Sequence, residues 1–138
     1  MRPDFKVVFD TNVYISAVIF GGNPRACLEL ARNGKIELFC SRKILFELSQ
    51  KMKVKFKWET NDIFDLIEGI AKFAKIVKPK AGVDEVKEDP SDNKILECAL
   101  EAKADFIVSG DIKHLLSMRR FKNIRILNSK DFLDLYYE

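Results

Sequence analysis

A chain of 138 residues suits one domain around a single core. A hydrophobic fraction of 47% and a charged fraction of 33% exclude a disordered chain, and no apolar run is long enough to span a bilayer. The net charge of +3, from 24 basic and 21 acidic residues, is too small by itself to signal a nucleic-acid partner.

In chain order, DFKVVFD is a short apolar run ending at Asp10 and predicts a buried first strand. TNVYISAVIF places Val13, Ala17 and Phe20 near helical spacing and stops at Gly21-Gly22. Asn23-Pro24 is expected to cap a second helix, PRACLELARNG, that ends at Gly34. IELFC predicts a strand, and Ser41 caps a third helix with Ile44, Leu45, Leu48 and Met52 on one face. NDIFDLIEGIAKFAKI predicts a fourth helix, with Ile63, Leu66, Ile67, Ile70, Phe73 and Ala74 inward. Lys78-Pro79 breaks the pattern and PKAGVDEVKED follows as a charged loop. Then come a helix (DNKILECALEAKA), a strand (DFIVSG), a short turn or helix (IKHLL), a strand (NIRIL) and a last helix (SKDFLDLYY). Strands alternate with helices, so the expected fold is a three-layer α/β/α domain with a central parallel sheet, spanning residues 1–138 as one unit.

The three cysteines, Cys27, Cys40 and Cys98, are widely spaced without a CxxC pair. They read as small buried hydrophobes, not as a zinc site or a disulfide framework. His114 is the only histidine, and no GxSxG elbow accompanies it. Any metal would therefore be held by oxygen, which favours Mg²⁺ or Mn²⁺. MRPDFKVVFD has no signal-peptide layout, so a cytoplasmic location is expected.

The acids fall at strand ends and helix starts. In parallel α/β sheets, ligands bind outside the carboxyl ends of the strands. Asp10 ends the first strand and Asp111 follows FIVSG. In DPSDNKILECA, Pro90 suits a first helical position, which makes Asp89 the expected cap. Asp92, Ile95, Leu96 and Ala99 follow i, i+3, i+4, i+7, so Asp92 extends the apolar stripe and aims inward. An inward charge needs a partner, and a metal is the simplest one. Glu47 lies beside the Ile44–Leu48 face and reads by pattern as a core-border or solvated acid. Two carboxylates about 5 Å apart repel by roughly 3 kcal/mol at an effective dielectric near 20, and a divalent cation reverses that sign.

VVFDTNVYISAVIF, FELSQ and DPSDNKILECALEAKADFIVSGDIKHL together resemble a PIN domain, closest to the VapC-like toxin components of toxin–antitoxin systems. The resemblance implies a Mg²⁺- or Mn²⁺-dependent ribonuclease with Asp10, Glu47, Asp92 and Asp111 as metal-binding and catalytic acids. It places Asn12 and Ser109 beside them as auxiliary groups, with Asp89 as cap and outer support. It also implies an RNA substrate, an antitoxin partner and a homodimer, for which LELARNG and FLDLYY offer apolar surface. For RNA contact, KMKVKFKW supplies Lys51, Lys53, Lys55 and Lys57, with Phe56 or Trp58 to stack on bases. The alternative for this stretch is a solvated connector with its apolar residues tucked into the core. Arg119, Arg120, Lys122 and Arg125 form a second basic stretch, read as a solvated turn, while Lys113 and His114 flank Asp111. Two other functions remain open at this level: an RNA-processing nuclease without an antitoxin, and an RNA-binding protein without catalysis.

Overall fold

The computed structural model describes residues 5–80, 92–110 and 115–138. Strand β1 (Lys6–Phe9) leads through Asp10 into α1 (Thr11–Ile19) and α2 (Gly22–Arg32). Strand β2 (Glu37–Ser41) is followed by α3 (Arg42–Val54), α4 (Thr60–Phe73) and β3 (Lys75–Val77). The remainder runs α5 (Asn93–Ala102), β4 (Phe106–Val108), α6 (Leu115–Met118), β5 (Arg120–Phe121), β6 (Ile124–Leu127) and α7 (Ser129–Tyr136).

The six strands form one sheet in the order β3-β2-β1-β4-β6-β5. All neighbours are parallel except β5, which pairs antiparallel with β6. Val7, Val8 and Phe9 are all fully buried, and so are Ile107 and Val108. Successive side chains of a strand point to opposite faces, so consecutive burial means that both faces are covered. This is the expected three-layer α/β/α arrangement. Helix α5 packs across β1 to β4, α1 packs on α2 and α3, and α2 packs on α7. An edge-to-face aromatic cluster of Phe5, Phe106, Phe132 and Tyr136 closes the end where the strands begin.

Several boundaries differ from the sequence reading. Helix α2 starts at Gly22 behind Gly21, so Asn23 is inside its first turn and not its cap. The run expected to end the fourth helix splits: α4 stops at Phe73, and Lys75–Val77 become edge strand β3. Its apolar residues keep helical phase with those before them, which hides the change of period. What decides it is β2, whose Phe39, Cys40 and Ser41 lie in register with Lys75, Ile76 and Val77. Lys75 pins the edge by pairing its Nζ with Glu37 Oε1 at 2.7 Å. The basic stretch around Arg119–Arg125 is a hairpin, β5–β6, with Lys122 at φ 55° in its turn. Helix α3 continues through Val54, so half of KMKVKFKW is helical. Finally, α5 begins at Asn93 with Asp92 at its cap position. Asp89 and Pro90 lie outside the described residues.

The cysteines are as expected: all three are free and buried. Burial pushes the Cys27 thiol up to about 12 and that of Cys40 to about 11, from 9.0. The folded state then keeps protons that the unfolded chain releases. This contribution is fully present below pH 9 and is lost as pH rises through 11 to 12. Urea midpoints measured from pH 8 to pH 11 should therefore fall with pH, and Cys27→Ala should fall less steeply than the parent. Equal slopes would contradict this account of the thiols.

Candidate active site

The sheet reverses its order of growth between β1 and β4: β2 and β3 extend one way, β4 and β6 the other. Such a switch point leaves a crevice at the carboxyl ends of the two strands, where crossover connections diverge. Phe9 is in register with Val108, so Asp10 and Ser109 end neighbouring strands side by side. The Asp10 amide donates to Val108 O at 2.9 Å, and Ser109 Oγ donates to Asp10 Oδ2 at 2.8 Å. Asp10 also caps α1, accepting from the Asn12 amide at 3.4 Å. Its carboxylate is thus fixed by a strand end, a helix start and the next strand. It is only 4% exposed.

Asp92 reaches the same rim from above. Three residues connect the end of α5 to β4, so the helix C-terminus sits where strands begin. The ten residues of α5 then carry its N-terminus roughly 15 Å back, to the end where strands finish. The predicted inward stripe is observed: Asp92 is 6% exposed, Ile95 1%, and Leu96 and Ala99 fully buried.

Glu47 comes from α3 and is held by three groups. Thr11 Oγ1 donates to its Oε1 at 2.6 Å, and Lys94 Nζ lies 3.3 Å from the same oxygen. Lys51 Nζ lies 3.6 Å from Oε2 and also donates to Asn12 Oδ1 at 3.3 Å. Thr11 is fully buried next to Asp10, so a single hydroxyl links Glu47 to the strand end. Lys94 and Glu47 are each about one-fifth exposed, which makes theirs a partly buried pair. The sequence reading missed Thr11 and Lys94. Nothing in spacing reveals them, because Glu47 meets both across long stretches of chain. Only the Glu47–Lys51 contact, at i, i+4, is legible from the sequence.

Asp10, Asn12, Glu47, Ser109 and Asp92 therefore meet the same end of the sheet. Asp111, Lys113 and His114 lie outside the described residues, as does Asp89. Among the described residues, no three acidic, histidine or cysteine side chains converge into a ready-made metal cage. The donors that do gather are oxygens of carboxylates, a hydroxyl and an amide, the set that suits a hard divalent cation. Of the four lysines in KMKVKFKW, Lys51 is the one bound to a site acid among the described contacts. Lys53, Lys55 and Lys57 are exposed, and Phe56 and Trp58 are half-buried against the core. The connector reading thus accounts for the aromatic residues, while Lys51 contacts Glu47 and Asn12.

A parallel α/β sheet with buried carboxylates at its switch point defines a class of domains that handle ligands at strand ends. The sequence pattern of the family described as PIN domain matches residues 6–113, and the chain belongs to that family. PIN domains are generally nucleases. The chain is 38% identical over 120 residues to an uncharacterized protein of Methanocaldococcus jannaschii, covering 83% of this chain and 75% of that one. Its fold is similar to a chain in the crystal structure of VapBC2 from Rickettsia felis bound to a DNA fragment from their promoter. That match has a TM-score of 0.64 and 17% identity, and covers 89% of this chain and 98% of that one.

The Thr11–Glu47 link predicts a measurable coupling. In urea unfolding of Thr11→Val, Glu47→Gln and the double variant, we expect about 1–2 kcal/mol of interaction energy, the range of a hydrogen bond to a charged group partly screened by water. A coupling near zero would mean that the hydroxyl does not hold Glu47.

Proposed function

We propose that this protein is a metal-dependent endoribonuclease that hydrolyses RNA phosphodiester bonds, acting as the toxin of a toxin–antitoxin pair. The observation that carries the reading is the placement of Asp10 and Asp92, both nearly fully buried at the β1–β4 switch point of a PIN domain. Carboxylates at a strand-end crevice suit a divalent cation, and PIN nucleases generally use divalent metals.

On this reading Asp10, Asp92 and Asp111 hold Mg²⁺ or Mn²⁺, and Glu47 joins them from α3. Bound there, the metal would supply a nucleophilic water at neutral pH and neutralise charge on the scissile phosphate. The remaining work belongs to the chain. Ser109 and the Asn12 amide hold the Asp10 carboxylate in one orientation, which fixes ligand geometry before substrate arrives. Lys94 and Lys51 offset the charge of Glu47, and on this reading they would also attract the substrate's phosphates. Asp92, which is nearly fully buried, or Asp111 would take a proton from the attacking water.

Support for a toxin role comes from the fold likeness to a VapBC2 complex, which implies an antitoxin partner for this chain as well. Exposed Phe20, Phe46, Val54 and Phe64 offer apolar surface for an antitoxin or a second copy. Much of the apolar surface expected to serve a homodimer is used internally, since α2 packs on α7 and Phe132 is fully buried. No helix among the described residues is long and apolar enough to cross a membrane.

Cleavage of mixed single-stranded RNA should require Mg²⁺ or Mn²⁺ and stop with chelator. Asp92→Asn and Asp10→Asn should each lose at least roughly 100-fold in rate with melting temperatures unchanged or raised, as expected for removed ligands. RNA left uncut with metal present would overturn the nuclease reading; full activity in chelator would overturn its metal dependence, and full activity in Asp92→Asn would remove Asp92 from the site. For the toxin role, expression should arrest growth, and co-expression of a neighbouring small gene should relieve it. Normal growth with active enzyme would point to an RNA-processing nuclease.

A further inference from the structure

The rim that carries the acids continues past β1 to the ends of β2 and β3. There a cavity of about 630 Å³ opens beside Ser41 at the end of β2 and Val77 at the end of β3. Four cations line it, Arg42, Lys43, Lys78 and Lys80, against one acid, Glu97. Its floor is apolar: Ile76 is 41% exposed, and Val77 and Pro79 lie beside it.

Position connects this groove to the acids. Neighbouring strands are about 4.8 Å apart, so the ends of β2 and β3 lie roughly 5 and 10 Å along the rim from Asp10. On α3, Lys43 precedes Glu47 by four residues, or about 6 Å of helix. Helix α5 spans both places: its Lys94 pairs with Glu47 and its Glu97 faces Lys43 at 3.8 Å. Lys43 is 72% exposed, so that contact is weak and leaves the cation open to a ligand. Lys51 and Lys94 at the acids, then Lys43 and Arg42, then Lys78, follow one another along the strand ends, while Lys80 continues down the cavity wall, its amide donating to Glu101 Oε1 at 3.3 Å. The chain as a whole carries only +3. The concentration of charge on this rim is therefore a local feature and not a reflection of overall basicity.

We infer that the groove between the α3 start and the β3 end binds the phosphate backbone of single-stranded RNA flanking the scissile bond. The inference rests on the ribonuclease reading for its choice of polyanion. The cations meet phosphates, and the Ile76–Val77 floor takes ribose or base surface. KMKVKFKW, by contrast, spends its aromatic residues on the core. Guiding the strand is thus the work of Arg42, Lys43, Lys78 and Lys80, none of which stands out in the sequence.

The test separates the groove from catalysis. Binding of a labelled oligoribonucleotide of about 10 nucleotides, a span suited to a single-strand groove, is followed by anisotropy in chelator at several salt concentrations. Lys43→Gln/Lys78→Gln should weaken binding at least 10-fold. It should also reduce the slope of log affinity against log salt by about 1.4, roughly 0.7 for each lost phosphate contact. A control with equal charge loss at the opposite rim, Lys35→Gln/Lys103→Asn, should change neither by more than twofold. With metal, the groove variant should raise KM for RNA while hydrolysis of a small phosphodiester too short to reach the groove stays unchanged. Binding and salt slope equal to the parent's would overturn the inference, as would a control that weakens binding just as much. So would displacement of the RNA by polyglutamate as effective as that by unlabelled RNA. Groove-dependent binding without any cleavage would sink the nuclease reading and leave the groove standing.

Discussion

The site depends on the pairing of β1 with β4. Because Phe9 and Val108 are in register, the next residue of each strand emerges at the same level, and Ser109 hydroxyl and Asp10 carboxylate meet at 2.8 Å. A shift of one residue would send every side chain of the strand to the other face and separate them. Register is held by what the strands bury. Val7, Val8, Phe9, Ile107 and Val108 are fully enclosed between helices, so no slipped alignment keeps the same core. The hydrophobic effect thus fixes the geometry of a polar site through the sheet.

The second constraint is charge. Asp10 and Glu47 stand at the same end of the sheet, and the chain restrains the two carboxylates differently. Asp10 is restrained by hydrogen bonds from Ser109 and Asn12. Glu47 is balanced by Lys94 and Lys51 and anchored by Thr11. The lysines that balance Glu47 also begin the cationic line that continues through Lys43 to the β3 end. The groups that balance Glu47 thereby stand at the same end of the sheet as the proposed RNA groove.

Much of the fold is legible in the sequence because its long elements carry clear periods. The spacing of Asp92, Ile95, Leu96 and Ala99 is enough to mark an inward acid, and VVFD is enough to mark a strand end. Short elements are not legible. Strand β3 has three residues whose apolar pattern continues that of α4, and β5 has two. Neither stretch is long enough to establish a period of its own, and only pairing with β2 or β6 makes it a strand. The basic residues show the same limit. KMKVKFKW looks like a binding surface because its charges are contiguous, whereas the cations of the groove come from Arg42–Lys43 and Lys78–Lys80, far apart in sequence.

The sequence by itself determined which residues are apolar at which spacing. From that follow the α/β class, the inward aim of Asp92 and the burial of three inert thiols. Tertiary structure alone decided that Asp10 and Ser109 are neighbours, that Glu47 belongs to Thr11 and Lys94, and that four scattered cations share one groove. Local pattern sets which face of an element is buried, because that depends on side chains a few residues apart. Which buried faces meet depends on strand order, and strand order is settled only when the whole core packs at once.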